Sequence, residues 1–122
     1  MHIDDLNIHL HNSNDDTQIF ELQGSLDIAT SPTVRAALLE AAERGQHRII
    51  VDLSRLDFID STGLGALIGS QRRAKENSGE VRLIAREGQI LRLLRITGLL
   101  TVFGVYHTLD DALSGSSRIE GL

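Results

Sequence analysis

The sequence predicts a single α/β domain in which helices cover a largely parallel sheet. Two strand-like segments open the chain, and helical and strand patterns then alternate in the order ββαβαβαβα. This alternation favours parallel strands joined by helical crossovers. The length of 122 residues suits one domain. Aromatic residues make up only 3% of the chain, so the predicted core is aliphatic.

The opening segment, residues 3–23, has the pattern of a β-hairpin. Apolar and polar residues alternate over 6–10, as expected for a half-buried strand. A polar cluster at 12–16 indicates a turn, and residues 19–22 form the second strand pattern.

The first helix is expected to begin near Thr30 or Ser31, either of which is suited to cap it. Pro32 then falls in the first turn, where proline is tolerated, and Gly45 ends the helix. The apolar run that follows predicts a strand over 48–53.

The second half of the chain repeats the alternation. Apolar residues at helical spacing predict a helix over 61–77, and a strand pattern follows at 81–85. A short helix over 88–96, a strand at 102–105 and a closing helix over 109–113 complete the order.

No linker or internal repeat interrupts residues 1–113, which we predict to be the domain. Residues 114–122 are small and polar, and we predict a flexible tail there. The chain has no apolar run of membrane-spanning length and no signal segment. We therefore expect a cytoplasmic protein without a membrane partner.

Charge and cysteine content exclude several classes of function. The formal net charge of −5 argues against a nucleic-acid partner, whose recognition requires a basic surface. The absence of cysteine excludes disulfides, thiol catalysis and thiolate metal sites.

The segment Asp60-Ser61-Thr62-Gly63 lies where a strand pattern ends and a helical pattern begins. A serine at such a point either caps the helix through its side-chain oxygen or offers its hydroxyl to a kinase. The sequence alone leaves both interpretations of Ser61 open.

Glycines recur in the predicted helix, at Gly63, Gly65 and Gly69. Each interior glycine costs a helix about 1 kcal/mol relative to alanine, so several in one helix indicate close approach by another backbone. That backbone belongs either to the same domain or to a partner protein, and the spacing does not distinguish them.

Phosphate-handling sites fit the sequence poorly. Gly63-Leu64-Gly65 lacks the Gly-Lys-Ser/Thr ending of a P-loop. Asp52, Asp57 and Asp60 lie near the end of the central strand, but a receiver domain also needs an acidic pair after its first strand. It further needs a lysine late in the sheet, whereas the only lysine, Lys75, is in a helix. We expect Asp52 to accept hydrogen bonds from nearby loop amides.

Hydrolytic and metal sites are not predicted either. Ser61 lacks the Gly-x-Ser-x-Gly setting of a nucleophile elbow, and His47 begins the preceding strand, at the opposite end of the sheet. His9 and His11 share a strand face but lack a third metal ligand.

Three segments are informative together. The first is Gly24-Ser25-Leu26-Asp27, the second runs from Val51 to Gly65 and contains the motifs Asp-Leu-Ser and Asp-Ser-Thr-Gly, and the third is Thr97-Gly98-Leu99-Leu100. Through these segments, residues 16–113 resemble the STAS-domain anti-sigma factor antagonists of bacteria. The fold implied is a small mixed β-sheet covered by helices largely on one face.

The resemblance also implies a function. The protein would bind an anti-sigma factor that is also a serine kinase, and would thereby free a sigma factor. Phosphorylation of Ser61 would end this interaction, and a phosphoserine phosphatase would restore it. The domain would then be a ligand and a substrate rather than an enzyme, with no cofactor. Self-association is left open.

The same resemblance assigns roles around the phosphoacceptor. Asp27 and Asp60 are expected to orient the hydroxyl or to meet the partner, and Gly63 and Gly65 to let the partner approach closely. Thr62 is a secondary acceptor or part of the helix cap, and we favour the cap.

Two alternatives remain. One is a STAS scaffold or sensor that works without phosphorylation, in a signalling assembly or beside a transport system. The other, from a different class, is a nucleotide-binding or nucleotide-hydrolysing module, which titration with a labelled nucleotide would identify.

Overall fold

The computed structural model describes residues 2, 3, 5–14 and 16–121. Met1, Asp4, Asp15 and Leu122 lie outside the described residues. Asp15 belongs to the turn predicted at 12–16, and Leu122 is the last residue of the predicted tail. The elements, in chain order, are β1 (His2–Ile3), β2 (Leu6–Asn14), β3 (Thr17–Leu26), α1 (Ser31–Glu43), β4 (Arg48–Ile59), α2 (Ser61–Glu76), β5 (Glu80–Ile84), α3 (Gln89–Ile96), a 3₁₀ turn (Leu99–Thr101), β6 (Gly104–Tyr106) and α4 (Leu109–Ser114).

The described strands form one mixed sheet in which spatial order follows chain order, from β1 to β6. β1, β2 and β3 pair antiparallel, and β3, β4, β5 and β6 pair parallel. The predicted α/β class with a mixed sheet is therefore confirmed. Within the described part of the chain, no helix is long and apolar enough to cross a bilayer.

The main core lies between the sheet and the three helices α1, α2 and α3, so most helical cover is on one face. It is largely aliphatic, with Phe20 and Phe103 as its largest side chains. A smaller cluster on the opposite face, built around Ile19, Ile50 and Tyr106, is covered by α4.

The strands differ from their predicted bounds in several places. β1 was not predicted, β2 continues through residues 12–14 of the predicted turn, and β3 spans Thr17–Leu26 rather than 19–22. β4 continues to Ile59 rather than ending at residue 53, because its second half stays paired with β3 up to the Leu26–Ile59 pair. The last strand is Gly104–Tyr106 rather than 102–105, because the 3₁₀ turn over Leu99–Thr101 occupies the residues immediately before it.

The chain after α4 contacts the domain. Ile119 is buried, and its N–H donates to the Val105 carbonyl at 2.7 Å. The Arg118 guanidinium donates to the carbonyls of Leu100 and Phe103, at 3.2 and 3.0 Å. These contacts give residues 118 and 119 fixed positions, while the flexibility predicted for 114–122 stays a prediction.

Candidate functional site

The Asp-Ser-Thr-Gly segment lies at the carboxyl edge of the parallel strands. β3 leads into α1 and β4 leads into α2 at this edge, so both helix N-termini lie on the same side of the sheet. The two connections are joined by a hydrogen bond from the Asp60 N–H to the Leu26 carbonyl, at 3.2 Å. In open α/β sheets this edge is where binding sites usually form.

Asp60, and not Ser61, caps α2. Its backbone is extended, and its Oδ1 accepts a hydrogen bond from the Gly63 N–H at 2.8 Å, while its carbonyl accepts from the Leu64 N–H at 2.9 Å. This carboxylate satisfies an amide that would otherwise lack a partner at the helix start, and its charge suits the positive end of the helix dipole. Ser61 is thus the first residue of the helix and is not needed as its cap.

The hydroxyl of Ser61 is available to a binding partner. The side chain is exposed, and no residue in the described part of the chain forms a hydrogen bond with its Oγ. The cap role that we favoured for Thr62 is wrong, because Asp60 fills it and Thr62 is the second residue of the helix.

The second carboxylate oxygen of Asp60 binds the other connection. Asp60 Oδ2 accepts a hydrogen bond from the Ile28 N–H at 3.1 Å, so one side chain holds both the start of α2 and the loop before α1. Asp27 organises that same loop, since its Oδ1 accepts from the N–H groups of Ala29 and Thr30 at 2.9 and 3.1 Å. Both oxygens of Asp60 and one oxygen of Asp27 accept from backbone amides, and contact of either residue with a partner stays a prediction.

Two of the helix glycines have different surroundings. Gly63 is buried, and a Cβ there would lie 2.5 Å from the Leu26 carbonyl oxygen, so the domain's own β3 is the backbone that approaches it. A Cβ at Gly65 would meet nothing within 4 Å. The absence of a side chain at Gly63 thus has an internal reason, whereas at Gly65 the space is open and partner contact stays a prediction.

Asp52 and His11 lie away from the start of α2. Asp52 is in the middle of β4, where its Oδ1 accepts from the N–H of Ser54 at 2.9 Å, an amide in the strand rather than in a loop. His11 Nε2 lies 3.0 Å from a Glu21 carboxylate oxygen. Among the described residues, no group of three or more His, Asp or Glu side chains is arranged to hold a metal ion.

Sequence analysis missed two exposed apolar side chains, Ile28 after the end of β3 and Phe58 near the end of β4. Ile28 is 73% exposed and Phe58 is 51% exposed. Ile28 is a large apolar residue between Asp27 and Ala29 in a predicted connection, outside every helix and strand pattern, and this position was the available signal. Phe58 was masked by its place in an apolar run, where Ile59 is the residue that faces the core.

Comparisons with known proteins agree with this architecture. A sequence model described as the STAS domain matches residues 11–112. The chain is 34% identical over 97 residues to an anti-sigma F factor antagonist of Paenibacillus polymyxa, covering 79% of this chain and 83% of that one. It is 28% identical over 100 residues to the anti-sigma-B factor antagonist of Bacillus subtilis, covering 82% and 90%.

A solved structure gives the same result in three dimensions. The crystal structure of an anti-sigma factor antagonist from Mycobacterium paratuberculosis superposes with a TM-score of 0.82 at 27% identity, covering 92% of this chain and 94% of that one. The chain belongs to the STAS domain family.

Proposed function

We propose that this STAS domain is an anti-sigma factor antagonist that is switched off by phosphorylation of Ser61. In its unmodified form it binds an anti-sigma factor with serine kinase activity and so releases a sigma factor. Phosphorylation by that kinase ends the interaction, and a phosphoserine phosphatase restores it. The relatives support the general role, since two of them are named antagonists and align over most of their own length.

The main support for the proposal is that, at the start of α2, one residue caps the helix and a different residue offers a free hydroxyl. Asp60 provides the cap, and the adjacent Ser61 presents an exposed hydroxyl with no hydrogen bond to any described residue. A serine that the fold needs at a helix start would bond its hydroxyl to a backbone group, as a capping side chain does. Because Ser61 does not, its hydroxyl is free to accept a phosphoryl group without loss of a structural contact.

A phosphate at Ser61 changes the surface more than the fold. It adds a charge of about −1.5 to −2 beside amides at a helix N-terminus, which favours negative charge. The helix is therefore expected to persist. Asp60, the neighbouring residue, makes the local field more negative, so affinity falls through charge repulsion and lost fit at the interface.

The test is a pull-down from the native cell with three baits: Ser61→Ala, Ser61→Asp and Ser78→Asp. Ser78 is exposed and follows the opposite end of α2, so its substitution adds the same charge to the same helix away from the site. We expect an anti-sigma factor kinase, identified by mass spectrometry, on the Ser61→Ala and Ser78→Asp baits and not on Ser61→Asp.

The purified kinase then provides a second measurement. Incubated with ATP and the wild-type domain, it is expected to add one phosphate, mapped by mass spectrometry to Ser61, and none to Ser61→Ala. Equal capture of the same proteins by all three baits would contradict the switch and favour a phosphorylation-independent scaffold. Loss of capture with Ser78→Asp as well would point to a nonspecific effect of charge.

A further inference from the structure

A cavity opens along the seam where α1 packs against α2. Its volume is about 190 Å³. Leu38 and Leu39 line it from α1, and Gly69 and Ser70 line it from α2. Leu38 is buried in the main core, so the floor of the cavity is apolar. An apolar cavity of about 150 Å³ takes a benzene-sized ligand, so this volume suits a short hydrocarbon chain.

Gly69 is the third glycine of α2, and the packing of the domain does not require it. It lies in the middle of the helix, where glycine is less stable than alanine. A Cβ there would meet nothing within 4 Å. Gly63, in contrast, must accommodate the Leu26 carbonyl oxygen. The sequence therefore keeps open, at Gly69, a space that a larger side chain would fill.

Each helix contributes one arginine to the lining of the cavity. Arg35 of α1 forms no hydrogen bond or ion pair with another described residue. Arg73 of α2 has one charged neighbour, Glu76 at 3.7 Å, and such an exposed pair is weak. In the described part of the chain no acidic side chain lines the cavity, and Glu43 lies in a separate polar depression beyond Arg73. An apolar floor is thus combined with two positive charges, in a chain of net charge −5.

We propose that this cavity is a binding site for an amphipathic carboxylate, such as a medium-chain fatty acid. The alkyl chain lies against the leucines of α1, in the space that Gly69 leaves, and the carboxylate is bound by the guanidinium groups of Arg35 and Arg73. A guanidinium matches a carboxylate in both charge and hydrogen-bond geometry. The site is separate from the phosphoacceptor, because Gly69 follows Ser61 by eight positions, about 12 Å along the helix axis. It does not depend on the antagonist role.

Both parts of such a ligand are required for binding. A small anion without an alkyl chain is held only by exposed, screened charge pairs, which are weak. An alkyl chain without the anion leaves the two arginines unused, and an amphipathic cation meets charges of its own sign. Burial of the chain supplies the affinity, and the arginines decide which head group is accepted.

The test is a titration of the purified domain with octanoate and two comparison ligands, followed by amide NMR spectra. Octylammonium has the same chain with the opposite charge, and acetate has the same head group without the chain. We expect octanoate to bind saturably with a Kd of about 1 mM or lower, and the largest shifts at the residues that line the cavity. Octylammonium and acetate should bind at least about tenfold more weakly.

Each arginine is tested by its own variant. Arg35→Gln and Arg73→Gln remove the charge and keep much of the aliphatic stem, and each should raise the Kd for octanoate by about threefold to tenfold. The matched control is Arg72→Gln, since Arg72 is exposed on the same helix and does not line the cavity. Its Kd should stay within about twofold of the wild-type value, because its exposed charge is screened by salt.

A second pair of variants tests the space at Gly69. Gly69→Leu should fill the cavity and abolish octanoate binding. Gly65→Leu is the control, because a Cβ at Gly65 also meets nothing within 4 Å and Gly65 does not line the cavity. Leucine is more stable than glycine in a helix, so both variants should unfold at temperatures equal to or above that of the wild type. Loss of binding by Gly69→Leu alone is then due to lost space and not to a damaged fold.

Several results would overturn the proposal. Without saturable binding of octanoate, or with shifts that lie outside the seam of α1 and α2, the cavity is not its site. If octylammonium binds as tightly as octanoate, the arginines recognise no head group. If Arg72→Gln weakens binding as much as Arg73→Gln, general attraction by positive charge is the cause. None of these results changes the case for Ser61, which the kinase experiments test separately.

Discussion

Ser31 and Ser61 occupy the same position in two neighbouring helices and have opposite surroundings. Each is the first residue of its helix, at the same edge of the sheet, and each follows a connection that contains an aspartate. Ser31 is 1% exposed, and its hydroxyl donates to the Asp27 carbonyl. Ser61 is exposed, and its hydroxyl has no hydrogen-bond partner within the described residues.

The difference follows from how each helix start is satisfied. Both connections use an aspartate carboxylate, but the connection before α1 also uses hydroxyls: Thr30, which is 1% exposed, donates to the Ser25 carbonyl and accepts from the Asp27 N–H. At the start of α2 the Asp60 carboxylate caps the helix without help from the Ser61 hydroxyl. Ser61 is therefore available to a kinase, whereas Ser31 is held by its own hydrogen bond to the Asp27 carbonyl.

The same substitution at both serines should give the largest contrast. Ser31→Asp buries a carboxylate against the Asp27 carbonyl oxygen, and we expect the free energy of unfolding to fall by about 3 kcal/mol or more. Ser61→Asp places the charge in water at a helix N-terminus, so stability should be unchanged or rise by about 0.3–1 kcal/mol. Urea unfolding followed by circular dichroism measures both.

A large loss of stability with Ser61→Asp would reverse the conclusion for that residue. It would mean that phosphorylation acts by unfolding the start of α2 rather than by changing an intact surface. Amide NMR spectra of the phosphorylated and unmodified domain provide an independent check, since shifts confined to the two connections fit a surface switch and shifts throughout the core do not.

Two glycines of α2 provide a second, smaller contrast. Gly63 packs against the end of β3, and a Cβ there would be 2.5 Å from the Leu26 carbonyl oxygen. Gly63→Ala should cost about 1–3 kcal/mol as the backbones separate. Gly65→Ala enters open space and should stabilise the helix by up to about 1 kcal/mol. The same unfolding assay measures both, and equal effects would show that the contact between Gly63 and the end of β3 does not limit the space at that position.

Gly65→Ala also tests whether the partner protein approaches α2 closely at this position. If the variant is more stable but binds the kinase more weakly, the space over Gly65 is used by the partner, as the family resemblance implies. If stability rises and affinity is unchanged, that glycine has no role in binding.

The sequence predicted the order of elements well because apolar spacing is a local property. The spacing of apolar residues alone predicts that α2 starts at Ser61 and that residues 48–53 form a strand. The second half of β4 did not follow, since Ser54 and Asp57 interrupt the apolar run and only pairing with β3 makes that segment a strand.

The site was predicted less completely, for a physical reason that Asp60 and Ser61 illustrate. Both residue types are good helix caps, and they are adjacent, so local rules do not choose between them. The choice depends on the contact of Asp60 with Ile28, which is 32 positions earlier in the chain. The exposure of Phe58 is likewise decided by which face of the sheet the helices cover.

The smallest expected difference in stability is between the two variants that each lose one hydroxyl, Ser31→Ala and Ser61→Ala. Ser31→Ala loses the hydrogen bond to the Asp27 carbonyl, and we expect stability to fall by about 1 kcal/mol. Ser61→Ala removes an exposed hydroxyl without a partner, so the change should be within about 0.5 kcal/mol. Paired urea unfolding curves, fitted with a shared slope, resolve this difference. If both variants lose the same stability, Ser61 contributes to the fold after all, and its phosphorylation would then break a structural contact as well as an interface.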